Sequence, residues 1–152
     1  KEGLEDSLTR GPLLGYPLID CAVVVKELIL DDEHSSVPAV RAASSMALMQ
    51  AIEEASPALL EPLMAVEVAT PEEFMGAVHS DLSTRRGRVL GMDTNSAAPS
   101  ISADVPLASM VGYATALRSA TQGRASYTMQ FSRYEAVPGS LQQEIITSVR
   151  GY

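Results

Sequence analysis

The 152-residue chain carries 11 basic and 19 acidic residues, a formal net charge of -8, with 46% of its residues hydrophobic. That composition supports one domain of moderate size or two small ones, and the acidity argues against a general nucleic-acid binder. No apolar run approaches the roughly 18 residues of a membrane helix, so a soluble chain with no membrane partner is expected, and the single cysteine, Cys21, excludes an internal disulfide.

The opening "KEGLEDSLTRGPLLGYP" contains acids and no apolar stretch, unlike a secretory or Arg-rich targeting peptide. Residues 2–10 predict a short helix, ended by the glycines and prolines that follow. "LIDCAVVVKELIL" (18–30) is β-branched and mostly apolar, which predicts a largely buried strand with Cys21 as an inert core thiol. "DDEHSSVP" reads as a loop with Ser36 as the N-cap of a helix running to Ala55. On that helix Val40, Ala47, Leu48, Ala51, Ile52 and Ala55 share one face, whose alanines suit close approach to a sheet. Ser56-Pro57 ends it.

In "LEPLMAVEVAT", Met64, Val66 and Val68 alternate with Ala65, Glu67 and Ala69, the pattern of a half-buried strand. A helix is expected from Pro71, capped by Thr70, with acids at the positive end of its dipole, burying Met75, Val78 and Leu82 and stopping at Gly87. "RVLGMD", a turn "TNSAAPS" and "ISADV" follow, with Ile101, Ala103 and Val105 pointing one way. A second helix is expected from Pro106, burying Leu107, Met110, Ala114 and Leu117 and stopping at Gly123. "ASYTMQFSRY" predicts a last strand with Tyr127, Met129 and Phe131 on its core side, and "SLQQEIITSV" predicts a closing amphipathic helix. Met46, Met49, Met64, Met110 and Met129 read as core gap fillers.

The two central helices echo each other. Each begins at a proline, carries an internal glycine (Gly76, Gly112), and ends at a glycine (Gly87, Gly123) eleven residues later, followed at once by arginine. The order β-α-β-β-α-β with matching halves is the ferredoxin-like pattern, so the fold class is α+β. A mid-helix glycine costs about 1 kcal/mol relative to alanine, so Gly76 and Gly112 are expected to lie close against the sheet.

No phosphate-cradling loop, dinucleotide fingerprint or metal-ligand cluster is present, and the two histidines lie far apart at 34 and 79. His79, Ser80 and Asp81 are consecutive and point in different directions on a helix, so no catalytic site is expected. An RNA recognition module would show stacking aromatics on the sheet's open face, where Ser126, Thr128, Gln130 and Ser132 stand instead. What remains is charge. From Thr84 to Arg133 there are six arginines (85, 86, 88, 118, 124, 133) against Asp93 and Asp104, a balance of +4 that leaves -12 for the remainder. Helix-dipole stabilisation accounts for Arg85 and Arg86 taken singly. It does not account for arginines placed after the terminating glycines, so Arg85, Arg86, Arg88, Arg118 and Arg124 are the candidate phosphate contacts. The other classes compatible with this pattern are a small-molecule-sensing ferredoxin-like domain and a purely structural brace.

"LLEPLMAVEVATPEEFMGAVHSDLSTRRGRVLGM" and "ADVPLASMVGYATALRSATQGRASYTMQFSRYEAVP" closely resemble the C-terminal domain of the elongation factor G family, through "LEP", "RRG", "VPL", "GY", "LRS-TQGR" and "YEAVP" in order. "RGPLLGYPLID" and the helix to Ala55 resemble the second half of the preceding domain IV. The resemblance implies residues 1–58 as part of an S5-like βαβ domain IV and 59–152 as a ferredoxin-like domain V with its closing helix. It further implies a longer parent whose GTPase domain holds GTP and Mg, and no cofactor in this part. The implied partner is the ribosome, at large-subunit rRNA near the stalk base, engaged by a monomer. Translocating members carry an acid after paired serines where this chain has Val37 and Pro38 in "EHSSVPAV". With "GPLLGYPLID" and "DLSTRRG", that resembles the mitochondrial ribosome-releasing branch, which acts with the ribosome recycling factor in the matrix. The alternatives are a translocase, and a cytoplasmic location if the chain is bacterial.

Overall fold

The computed structural model describes residues 2–31, 33–96 and 98–151, the side chain of Arg150 excepted; Asp32 of the first loop and Ala97 of the later turn lie outside the described residues. The chain divides into two units, Leu60–Ala136 and the rest.

In the rest, helix α1 (Glu2–Leu8) packs on α2 (Val37–Glu54). Gly3 permits the approach, since a β-carbon there would meet the Arg41 carbonyl oxygen at 2.6 Å. Ser7 donates to the Gly3 carbonyl at 2.8 Å and shares a 2.6 Å hydroxyl contact with Ser45, while Arg41 pairs with Asp6 and, at 3.6 Å, with Glu2. Ser36 caps α2 as expected, accepting from the Ala39 amide.

The strand expected over 18–30 is not formed, and Val23–Val25 and Leu28–Leu30 are exposed. β-branched composition favours extended backbone, but a strand exists only when its N–H and C=O groups find a partner, and this unit has no other strand among the described residues. Cys21 is consequently an exposed thiol rather than a core one. For the same reason the alanine face of α2 has no sheet of its own unit to pack on among the described residues: Ala47 and Ala51 are exposed, as is Met46.

Residues 60–136 form the β-α-β-β-α-β unit. Strands β1 (Leu60–Ala69), β2 (Arg88–Asp93), β3 (Ser100–Pro106) and β4 (Ser126–Ala136) make an antiparallel sheet of order β2-β3-β1-β4, with α3 (Glu72–Thr84) and α4 (Tyr113–Ala120) as its crossovers. Alternation sends Val66 and Val68 of β1 and Ile101, Ala103 and Val105 of β3 to the helix side, where Met75, Val78 and Leu82 of α3 close the core. A final helix, α5 (Gly139–Arg150), belongs to the other unit.

Several expectations fail here. The second helix is broken: Leu107–Met110 form a 3-10 turn, the chain reverses at Val111-Gly112, and α4 starts at Tyr113. Tyr113 takes the core place expected of Ala114, and Leu107 is exposed. Gly112 does not lie against the sheet. It adopts φ +74°, with nothing within 4 Å of where a β-carbon would sit, so the position requires glycine for its backbone angle. Gly76 lies on the exposed face of α3, also with open space around it, and nothing in the structure explains a glycine there. Finally, β4 is an edge strand beside a helix of only eight residues, which leaves Met129 and Phe131 exposed on the helix side. Thr70 likewise makes no cap bond; its hydroxyl is buried without a partner among the described residues, and Pro71 stands at the N-cap.

Candidate nucleic-acid interface

The arginines sit where the helices stop. At the end of α3, Arg86 turns left-handed (φ +63°), the Gly87 amide donates back to the Leu82 carbonyl at 2.8 Å, and the Arg86 amide donates to Ser83. A β-carbon on Gly87 would meet that Leu82 carbonyl oxygen at 2.5 Å. The end of α4 repeats the device: Gln122 (φ +54°) and Gly123 (φ +76°) are both left-handed, and the Gly123 amide donates to the Arg118 carbonyl at 2.9 Å. Both are closures in which the chain doubles back onto the last carbonyls of its helix.

The five candidate arginines do not form one cluster. Because α3 runs back along β1, its C-terminus returns to the beginning of β1, where Arg86 forms a two-pronged pair with Glu61, one arm at 3.0 Å. The start of α4 lies at this end too, since Arg85 reaches the Ser109 carbonyl at 2.7 Å and the Val111 carbonyl at 3.3 Å. The end of α4 lies at the opposite end, where Arg124 pairs with Glu73 in the first turn of α3. Arg85 and Arg86 therefore lie at the opposite end of α3 from Arg124.

Their engagement differs as sharply. The Arg85 side chain is only 18% exposed; its Nε donates to Asp81 at 2.9 Å and its guanidinium lies 5.1 Å from the centre of the Tyr113 ring. Tyr113 itself is buried, and burial pushes its hydroxyl up to about 12, with no hydrogen-bond partner among the described residues. Arg88 is 65% exposed and donates at 3.2 Å to Asp104, a neighbour across the β2-β3 ladder. Asp104 is 5% exposed and also accepts from Arg133 of β4 at 2.8 Å. Burial acts to raise the Asp104 pKa, but the hydrogen bonds and charges of Arg133 and Arg88 outweigh it and hold the carboxyl below its ordinary value. Arg124 lies 5.4 Å from the centre of the Phe74 ring and stays 55% exposed. Arg118 is exposed, and its side chain makes no hydrogen bond or ion pair among the described residues.

Charge segregated along the sequence is thus not segregated in space. Glu61 and Glu73, from before the arginine-rich stretch, fold onto Arg86 and Arg124, and Asp104 joins Arg88 to Arg133. Sequence reasoning passed over Arg133. Strand alternation pointed the wrong way, since it puts Arg133 on the side of Tyr127, Met129 and Phe131; a register shift of β4 opposite Leu63 and Met64 turns Arg133 onto the open face with Asp104. Among the described residues no group of three or more His, Cys, Asp or Glu is placed to hold a metal ion, and no helix is long and apolar enough to cross a membrane.

Two family models match the chain: "Elongation factor G C-terminus" over residues 58–145 and "Elongation factor G, domain IV" over residues 1–56. A crystal structure of a protein from Thermus thermophilus is similar throughout, with a TM-score of 0.85 and 37% sequence identity. That match covers 99% of this chain and 23% of the other, so the chain spans under a quarter of the length of this relative. With both domain models matched in order along one continuous chain, the protein belongs to the elongation factor G family.

Proposed function

We propose that this chain docks a GTP-dependent translation factor onto the ribosome, with no catalytic residue of its own. The observation that carries this is the consecutive match to domain IV and the C-terminal domain of elongation factor G. GTP and Mg belong, on this reading, to a GTPase domain in the parent protein, and the ribosome is its partner. Within the chain, Arg118 and Arg124 contact large-subunit rRNA phosphates most directly. Arg118 has its full donor set free, and Arg124 presents a guanidinium plane over Phe74 with only the exposed Glu73 to displace. Arg88 and Arg86 are secondary contacts, because each must first share or release a carboxylate.

Within the family we assign the chain to the ribosome-releasing mitochondrial branch, acting as a monomer with the ribosome recycling factor in the matrix. Support comes from the start of α2, where Val37-Pro38 follow the Ser36 cap and the first turn carries no acid. The parent should then split ribosomes together with recycling factor and fail to drive translocation; sustained translocation would assign it to the other branch. The basic test of docking is sedimentation of the 152-residue chain with large ribosomal subunits. Pelleting that is competed by the parent is expected, and a chain that stays in the supernatant contradicts the proposal.

A further inference from the structure

The two arginines beside the closure of α4 are held differently. The stem of Arg118 passes 3.9 Å from where a β-carbon on Gly123 would sit, and its guanidinium has no partner among the described residues. Arg124 follows the closure, its amide donating to the Thr121 carbonyl at 3.0 Å. From there its side chain crosses to the first turn of α3, where Cζ stands 5.4 Å over the centre of the Phe74 ring and one terminal nitrogen meets Glu73. Phe74 is half-buried and precedes the core residue Met75, so the ring beneath the guanidinium belongs to a packed helix. One face and one edge of the guanidinium plane are thus taken. The side chain is still 55% exposed, which leaves its outer face and remaining donors to solvent. Arg85 also lies over a ring, that of Tyr113, but its 18% exposure leaves no such face to offer.

We propose that Arg124, braced flat by Phe74, is a stacking plate for one unpaired rRNA base, while its free donors and Arg118 meet the phosphates beside that base. This rests on the docking function proposed above and deepens it by naming the kind of nucleotide recognised. A guanidinium is planar, cationic and weakly hydrated, so its open face suits the π-face of a base. In an A-form duplex those faces are covered by neighbouring pairs, and loops, bulges and ends are what offer one. Bracing matters because an unsupported arginine such as Arg118 must give up side-chain freedom to present a plane. The open face of the sheet, with Ser126, Thr128 and Gln130, offers no plate of this kind.

The experiment compares Arg124→Gln, Arg124→Lys, Arg124→Tyr and Phe74→Leu in the 152-residue chain by affinity for large ribosomal subunits across several salt concentrations, with thermal melting alongside. Arg124→Gln removes both charge and plate; affinity should fall about tenfold or more, and the slope of log affinity against log salt should flatten by about 0.7 to 0.9. Arg124→Lys keeps the charge without a plate and should lose about fivefold with the slope intact. Arg124→Tyr decides between stacking and a forked phosphate contact, because a ring stacks without charge. Its slope should be as flat as that of Arg124→Gln, with affinity at least about threefold higher. Phe74→Leu should weaken binding by about two- to fivefold at unchanged slope, through loss of the brace. Arg124→Tyr binding no tighter than Arg124→Gln makes Arg124 a phosphate contact and overturns the inference. Lowered melting points with unchanged affinity across the four variants reduce the pair to a stabilising contact, which also overturns it. A wild type that leaves large subunits unbound refutes the docking function beneath, an outcome distinct from either of these.

Discussion

The two helical arms of the β-α-β-β-α-β unit look alike in sequence and are built differently. Both carry a glycine eleven residues before a terminating glycine, and both end in the same doubled-back closure. Yet α3 runs unbroken for 13 residues past an exposed Gly76, whereas its counterpart divides at Gly112 into a 3-10 turn and an eight-residue helix. The arginines follow the same division. Arg85 and Arg86 at the end of α3 are drawn in by Asp81, Glu61 and backbone carbonyls, whereas Arg124, past the end of α4, stays 55% exposed beside Glu73. A repeated pattern in sequence thus transmits the closure of a helix, which is local, but not the environment of the side chains beside it, which depends on what the other arm brings.

The largest stability effect lies on the strands between the arms. Asp104→Asn removes the charge shared by Arg88 and Arg133 and should lower stability at pH 7 by about 1 to 3 kcal/mol. The pH dependence has a definite sign. Because the folded carboxyl titrates below its ordinary value, its contribution is fully present above the unfolded pKa of about 4 and is lost as pH falls through the folded one. Denaturant titrations of wild type and Asp104→Asn should therefore differ most at neutral pH and converge in acid. A constant gap would mean that the carboxylate's charge is not what the arginines need.

The glycines give the smaller effect and the sharpest contrast between the arms. Gly112→Ala should destabilise by about 1 to 2 kcal/mol because of its left-handed backbone, and Gly112→Leu should cost no more, since the space around it is open. Gly76→Ala should stabilise by about 0.5 to 1 kcal/mol through helix propensity alone. Thermal melting of the three variants checks both. Equal losses at the two positions would restore the symmetry the sequence suggests and place both glycines against the sheet.

How much was legible beforehand follows the range of the forces involved. The alternation of Val66 and Val68 with Glu67, and of Ile101, Ala103 and Val105, identified the strands and their buried faces because each residue's fate depends on its immediate neighbours. The stops at Gly87 and Gly123 were legible for the same reason. Residues 18–30 carry an equally strong strand composition and form none, because pairing needs a second strand that composition does not report. The break at Gly112 was hidden because Leu107, Met110 and Leu117 keep a helical rhythm across it. Grouping the arginines required knowing that α3 and α4 close at opposite ends of the sheet, and their neutralising acids, Glu61 and Glu73, lie outside the stretch that looked basic.

The measurement that tests the central claim most directly is the salt dependence of ribosome affinity in two double variants, Arg118→Gln/Arg124→Gln and Arg85→Gln/Arg86→Gln. If the outer end of the unit meets rRNA phosphates, the first pair should flatten the slope of log affinity against log salt by roughly 1.4 to 1.8, about 0.7 to 0.9 per phosphate, with its melting point nearly unchanged. The second should melt lower and keep most of its slope, because Arg85 is held inside and Arg86 is tied to Glu61. A flattened slope confined to the second pair, with the first behaving as wild type, would contradict the account and move the phosphate contacts to the end of α3.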